Sequence, residues 1–391
     1  MQKVYAQDGV NIAEGDDFSS YVAEICRSTY NNSRFLQVKD LSRGHFRGPR
    51  GVRLVNLPDS CYLDVAPDGI GTKVIIINEA LSQFTAGRDV LAMTVEDISR
   101  WGGLPLLFSN VYDVATLGHI GDPTNMACRS AFMGLVEAAN EQEIVLYKGE
   151  TAELGVCVGS ENPDAPTKFN WAGFALGVYD ENKVINGDTL RPGQKVIALR
   201  EHGFRANGGS SVRKALRLRF GDQWWKNPEA SAAIRAAAEP SIIYSKFLAF
   251  LNGWFNPNFR RDFRLHAIVH ITGGGIPSKF GNDILFPRGL SANLDNLWYP
   301  PKIMSRCFMW RNLDPENPLT QEEGYEIWHG GQGMLLVADD KDVKPIIQIA
   351  KDLYGIEARE CGRITEEAEP TLKITSRFDG EVLTYTKNPK K

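Results

Sequence analysis

Asp68-Gly69-Ile70-Gly71-Thr72-Lys73 is the stretch that decides how this chain is read. An apolar run, Cys61–Val65, leads into it, and a second apolar run, Val74–Ile77, leaves it. Two glycines around one small apolar residue let the backbone turn tightly and aim N–H groups at an anion. An aspartate before them can hold Mg²⁺, and a threonine and a lysine after them can meet phosphate oxygens. The spacing is neither the Walker A pattern nor the Rossmann G-x-G-x-x-G. The segment alone also fits a turn that carries a surface lysine.

Working outward, strand-like and helix-like stretches alternate. Asp89–Trp101 has apolar residues at helical spacing (Val90, Leu91, Val95, Ile98), Pro105–Val111 reads as a strand, and 124–140 reads as a helix. Ile144–Tyr147 reads as a short buried strand, and Trp171–Val178 closes this half. A turn-forming stretch at 186–193 marks a linker, dividing residues 1–187 from 188–391. The second half restarts with a strand at Lys195–Leu199, a helix after Gly208, another near Ser241, and a strand at His266–Ile271. Gly333–Val337, a helix over 343–354 and a strand near Arg363 finish it; 256–264 and 312–323 read as surface loops, and 388–391 as a frayed tail. The alternation predicts an α/β fold of mixed sheets covered by helices, in two domains.

Composition narrows the function. The chain has 391 residues, 43% hydrophobic and 24% charged, which suits a globular protein with ample core. Lys plus Arg is 44 against Asp plus Glu at 48, so no field exists for a nucleic-acid backbone, and bound phosphate is expected to belong to a small molecule. No apolar run reaches the roughly 18 residues of a membrane span, and residues 1–15 lack the apolar core of a secretory signal. The six cysteines are scattered without a C-x-x-C, as expected of free thiols in a cytoplasmic protein.

Further clusters carry possible chemistry. Glu96-Asp97 and Gly149-Glu150-Thr151-Ala152-Glu153 could bring carboxylates to Mg²⁺, with Glu150 expected at a strand terminus where α/β ligand sites lie. Thr272-Gly273-Gly274-Gly275 after a strand can cradle a phosphate or merely turn the chain. His266 and His270 would face one side of a strand, but no third ligand follows, which argues against zinc. Residues 203–213 form a glycine-rich turn into a helix, suited to an anion or to a plain cap. Trp224, Trp225 and Trp254 read as packing.

In order, these segments resemble the aminoimidazole ribonucleotide synthetase family of purine synthesis. The likeness starts at YAQDGVNIAEG (5–15) and runs through DGIGTK (68–73), DVLAMTVEDI (89–98) and KGETAE (148–153). WAGFALGV (171–178), NGGSSVRK (207–214), EPSIIYSK (239–246), HAIVHITGGGIP (266–277) and GQGMLLV (331–337) extend it almost to the end. The resemblance implies two α/β domains, the first pairing with that of a second subunit to close a β-barrel across a homodimer. It also implies ATP and a ribonucleotide as substrates, with Mg²⁺. On the nucleotide side it points to Asp68, Gly69, Gly71, Thr72, Lys73, Asp97, Gly149, Glu150 and Thr151. Asp68, Asp97 and Glu150 would hold the metal, and Arg205, Asn207, Gly208 and Gly273–Gly275 the substrate. Asp68, Lys73 and His270 would be catalytic.

The sequence departs from the family at several of these places. The family's H-S-N-G reads Arg205-Ala206-Asn207-Gly208, its G-G-E-T reads Lys148-Gly149-Glu150-Thr151, and its F-L-D-Y aspartate aligns with Asn110. Glu96 replaces the usual Asn, Pro67 the usual Thr, and Gln332 enters the G-x-G-M segment. The resemblance therefore admits three readings: a divergent cyclo-ligase, a relative that activates another amide or carboxylate with ATP, and a nucleotide-binding paralogue without turnover.

Overall fold

A computed structural model describes residues 12–43 and 48–387. Most of the 5–15 motif and the basic tail at 388–391 lie outside the described residues. The chain separates into two compact units, one running to Ile98 with Leu104–Asn182, the other comprising Ser99–Gly103 with Lys183 onward.

In the first unit, α1 (Ile12–Arg27) and a two-stranded pair, β1 (Leu36–Asp40) with β2 (Arg50–Leu54), precede a four-stranded sheet. That sheet comprises β3 (Cys61–Gly69), β4 (Leu104–Val114), β5 (Val145–Glu153) and β6 (Phe169–Asp180), in the order β3-β6-β4-β5. β6 pairs antiparallel with β3 and β4, and β4 pairs parallel with β5. Helices α2 (Lys73–Ala80), α3 (Gln83–Ser99) and α4 (Pro123–Gln142) complete the unit. The apolar run at Val74–Ile77 is thus helical; it buries Val74, Ile76 and Ile77 together, and periodicity cannot tell such a run from a buried strand. Beneath the sheet, Tyr112, Phe132 and Trp171 pack edge-on or tilted with centroids 4.9–5.2 Å apart, a geometry favoured by ring quadrupoles.

Helices α3 and α4 meet backbone to backbone. A Cβ placed on Gly134 would lie 1.8 Å from the Phe84 carbonyl oxygen, and one on Gly87 would lie 2.2 Å from the Leu135 nitrogen. Only glycine admits that approach.

The second unit holds a seven-stranded sheet of order β13-β12-β9-β11-β7-β10-β8. Its strands are β7 (Lys195–Arg200), β8 (Leu265–His270), β9 (Ser291–Leu294), β10 (Gln332–Ala338), β11 (Ala358–Thr365), β12 (Thr371–Thr375) and β13 (Val382–Thr386). Only β9 with β12 pairs parallel. The helices are α5 (Gly209–Phe220), α6 (Ser231–Ala237), α7 (Ser245–Leu251), α8 (Lys302–Arg311), α9 (Gln321–Ile327) and α10 (Asp340–Tyr354). The helix expected near Ser241 starts at Ser245, and the loop expected through 323 ends at α9, which a complete Thr320–Glu323 capping box starts. Alternate residues of the central strands feed two cores. Val196, Ala198, Leu335, Val337 and Cys361 face one; Ile197, Leu199, Ile268, Met334 and Leu336 face the other. Trp224 and Trp254 are fully buried, and all six cysteines are unbridged. Among the described residues no helix is long and apolar enough to cross a membrane.

The α3–α4 approach carries a prediction. Gly134→Ala is expected to destabilise the protein by about 2–3 kcal/mol, because backbone must move to admit one methyl. A denaturant titration tests it, and a shift below roughly 0.5 kcal/mol would show that the two helices slide apart freely.

Candidate functional site

The 68–73 segment closes β3 and opens α2. Asp68 Oδ1 accepts the Gly69 N–H at 2.7 Å, and the Ile70 N–H donates to the Trp171 carbonyl at 3.0 Å. Gly71 takes a positive φ of 59°, and Thr72 is the residue before α2. Lys73 departs from the phosphate-facing role expected of it. Its side chain is 1% exposed, and its ammonium lies 3.0 and 2.8 Å from the two oxygens of Asp89, itself 0% exposed. The Lys73 charge is engaged inside the unit, where the pair ties the loop to α3. In the Glu96-Asp97 pair, Glu96 is fully buried and Asp97 half-buried.

Glu150 does not sit at a strand terminus. β5 continues through Glu153 because β4 runs beside it, pairing Asn110 with Gly149, Val111 with Glu150 and Tyr112 with Thr151. Asn110, Gly149, Glu150 and Thr151 line a cavity of about 720 Å³ walled by α1, β2 and β5. Asp16, Cys26, Arg50, Asn110, Lys148 and Glu150 bring its polar character. Asn110 accepts the Trp171 indole N–H at 3.1 Å and is 5% exposed. A Cβ on Gly149 would come within 2.8 Å of its amide nitrogen, so glycine keeps the wall open there. Glu153 is engaged, accepting the Leu117 N–H at 2.7 Å. Burial pushes the Cys26 thiol up to about 12, so it lines the wall without nucleophilic character.

Among the described residues no three His, Cys, Asp or Glu side chains gather closely enough to hold a metal ion. The grouping of Asp68, Asp97 and Glu150 expected from the sequence therefore does not form within one chain. The topology gives the reason: β3 and β5 are opposite edges of the sheet, and three strand spacings separate them by roughly 14 Å.

In the second unit the expected substrate residues do converge. β7 and β8 both run antiparallel to β10, so their carboxyl ends reach the same sheet edge, the usual place for ligands in α/β sheets. Beyond β7 lie Arg205, Asn207 and Gly208; beyond β8 lie Gly273–Gly275. A Cβ on Gly273 would stand 3.8 Å from Asn207 Oδ1, which puts the two loops in contact. Gly275, at φ 61°, crosses so near the Tyr325 carbonyl oxygen (1.8 Å from a Cβ) that no side chain fits.

Arg205 is the surprise. At 1% exposure it donates to Glu201 Oε2 at 2.8 Å and to the Ile242 carbonyl at 3.0 Å. Burial pushes the Glu201 carboxyl above its ordinary value against the opposing pull of Arg205. Arg205 Nη2 also lies 3.3 Å from His270 Nε2. A guanidinium can only donate, so in that contact His270 Nε2 is the acceptor. His266 is tied to Thr189 at 2.7 Å and faces Asp339 at 3.3 Å. His329, which the sequence reading missed, is 4% exposed; it donates from Nε2 to the Gly203 carbonyl at 2.9 Å and accepts the Gly331 N–H at 3.0 Å. It staples the loop after β7 to the start of β10. Asp89 and Glu201 were likewise missed, since nothing in their spacing ties them to Lys73 or Arg205.

The AIR synthase related protein family matches twice, its N-terminal domain over residues 52–178 and its C-terminal domain over 191–375. Phosphoribosylformylglycinamidine cyclo-ligase of Thermodesulfovibrio yellowstonii is 28% identical over 381 residues, covering 96% of this chain and 100% of that one. The enzyme of that name from Methanobrevibacter smithii is 27% identical, covering 97% and 99%. Among crystal structures, thiamine-monophosphate kinase from Stenotrophomonas maltophilia K279a aligns over 92% of this chain and 96% of its own, with TM-score 0.55 and 16% identity. Hydrogenase maturation protein HypE in complex with ATP aligns over 95% and 94%, with TM-score 0.57 and 12% identity. At those identities the structures share the fold.

The buried Lys73–Asp89 pair is expected to behave structurally. Lys73→Met should cost about 3–5 kcal/mol of stability, and the double variant Lys73→Met/Asp89→Leu should recover much of that loss. Denaturant titration of the four-member cycle tests this; a stable Lys73→Met protein would return the lysine to the phosphate.

Proposed function

The chain belongs to the AIR synthase related family across both of its domains, and we propose that it catalyses the ATP-dependent closure of formylglycinamidine ribonucleotide to aminoimidazole ribonucleotide. The observation that carries this reading is the pair of family domains, in order, within relatives of that activity that match almost end to end. A formamide oxygen is a poor leaving group. ATP transfers its γ-phosphoryl group to that oxygen, releasing ADP. The amidine nitrogen then attacks the same carbon, the C–O bond breaks, phosphate departs and a proton is lost from nitrogen. Positioning and charge stabilisation supply most of the acceleration in such a step.

In this reading the first unit takes the nucleotide. Gly69 and Gly71 turn the chain at the head of α2, with Asp68 and Thr72 beside them, while Gly149, Glu150 and Thr151 line the cavity. Mg²⁺ entering on the triphosphate needs only one or two protein carboxylates; Asp68, Asp97 and Glu150 are the candidates, and the bound ion would neutralise phosphate charge. Asn207, Gly208 and Gly273–Gly275 take the ribonucleotide. Arg205 and His270 shape that corner as a fixed, internally balanced cluster. A cytoplasmic location accords with the unbridged cysteines.

A second copy completes the first unit. Leu63 and Val65 on β3 stand on one face with Phe174 of β6 and Val111 of β4, at 59, 52, 41 and 40% exposure. A contiguous apolar patch on an edge strand and its neighbours calls for cover, and the same face of another chain would extend the sheet into the barrel.

Purified protein should release ADP with formylglycinamidine ribonucleotide and should rescue a purine auxotroph lacking the cyclo-ligase. Asp68→Ala should lower turnover at least roughly a hundredfold. ATP left untouched by that substrate but hydrolysed with another amide or carboxylate would replace the reading. Val65→Asp should shift the protein from dimer to monomer in light scattering; an unchanged mass would remove the barrel.

A further inference from the structure

On the opposite face of the seven-stranded sheet from His270 lies a cationic cluster that the reaction above does not use. Arg200 and Arg359 project from neighbouring strands on the face of Ala198 and Cys361, whereas His270 shares the face of Ile268 and Met334. The Arg359 guanidinium stacks on the Trp298 ring at 3.6 Å from its centroid, and Arg200 lies over the same ring at 5.0 Å. Arg377 stands over Tyr299 at 5.3 Å, and that ring is 66% exposed.

The two outer arginines converge on one neutral atom. Arg359 Nη1 donates to Asn296 Oδ1 at 3.4 Å and Arg377 Nη2 donates to the same oxygen at 3.1 Å. Asn296 Nδ2 donates to the Glu360 carbonyl at 2.9 Å, which fixes the amide with its oxygen toward the arginines. Arg377 spends its remaining bonds on the Leu297 and Asp295 carbonyls. The nearby carboxylates are engaged elsewhere: Glu357 pairs with Arg200 and His202, and Glu360 with Lys195. Among the described residues neither Arg359 nor Arg377 has a carboxylate within ion-pair distance. Burial, and then the charges of Arg377 and Arg200, hold the Arg359 guanidinium below its ordinary value.

Two like charges gathered on a single amide oxygen, stiffened by aromatic stacking and lacking a counter-ion, describe a preorganised anion receptor. We infer that Arg359 and Arg377, framed by Trp298 and Tyr299, bind a phosphate group at a site separate from the catalytic one. The phosphate group could be free phosphate or the terminal group of a nucleotide, with the exposed Tyr299 ring available to a base. This inference does not depend on the substrate assigned above.

Calorimetric titration of the full-length protein with inorganic phosphate, at ionic strength matched by chloride, tests it. Wild type and Asp68→Ala are expected to bind alike, and Arg359→Gln/Arg377→Gln should weaken binding roughly tenfold or more. Binding unchanged in the double variant, or binding to neither protein, would overturn the inference. Should the double variant not fold, Arg359→Lys keeps the charge but loses the planar fork, and unweakened phosphate binding there would equally overturn it. ADP separates the sources: competition with phosphate that Tyr299→Ala weakens assigns a nucleotide, and competition indifferent to Tyr299 assigns free phosphate.

Discussion

The contact on which the first unit turns is the ion pair between Lys73 and Asp89, sealed from solvent. It joins the turn after β3 to the middle of α3, so the glycine turn is fixed by a charge the chain supplies itself. A buried pair of this kind adds little net stability but cannot be broken cheaply, since either member alone is an uncompensated charge. Two residues before Asp89, Gly87 brings α3 onto the backbone of α4. Turn, helix and helix thus form one rigid series, and the position of the Asp68 carboxylate follows from it.

The same principle recurs in the second unit. Arg205 lies in the loop after β7, and taken as a surface charge it would recruit an anion. Glu201 cancels it within the protein, and the guanidinium also reaches the neighbouring His270. Lys148, by contrast, stays at the exposed rim of the first unit's cavity, packed over the Tyr147 ring at 5.2 Å, where its charge remains available to a ligand.

Much of the fold was legible where strands carry apolar runs between turns. Pro105–Val111, Lys195–Leu199 and Gly333–Val337 lie within β4, β7 and β10. Legibility failed where partners lie far apart in sequence. The polar end of β5 could be seen as strand only with β4 beside it. Val74–Ile77 gave no period, because its helix is buried on several sides. Of the candidate site, the residue types were readable and their engagement was not. The sequence shows a lysine after a glycine turn, but only coordinates show which carboxylate 16 positions on receives it. Likewise, three carboxylates suggest one metal until strand order puts two of them on opposite edges.

The crossing at Gly87 and Gly134 bears on how such a chain diverges. Where helices cross main chain to main chain, their spacing at that point is set by peptide geometry, which every sequence shares. Side chains elsewhere on α3 and α4 can be exchanged over long descent while the turn ahead of them stays in place. A lineage built on that contact can lose nearly three-quarters of its identities to a relative such as the Thermodesulfovibrio yellowstonii protein and still align with it almost end to end.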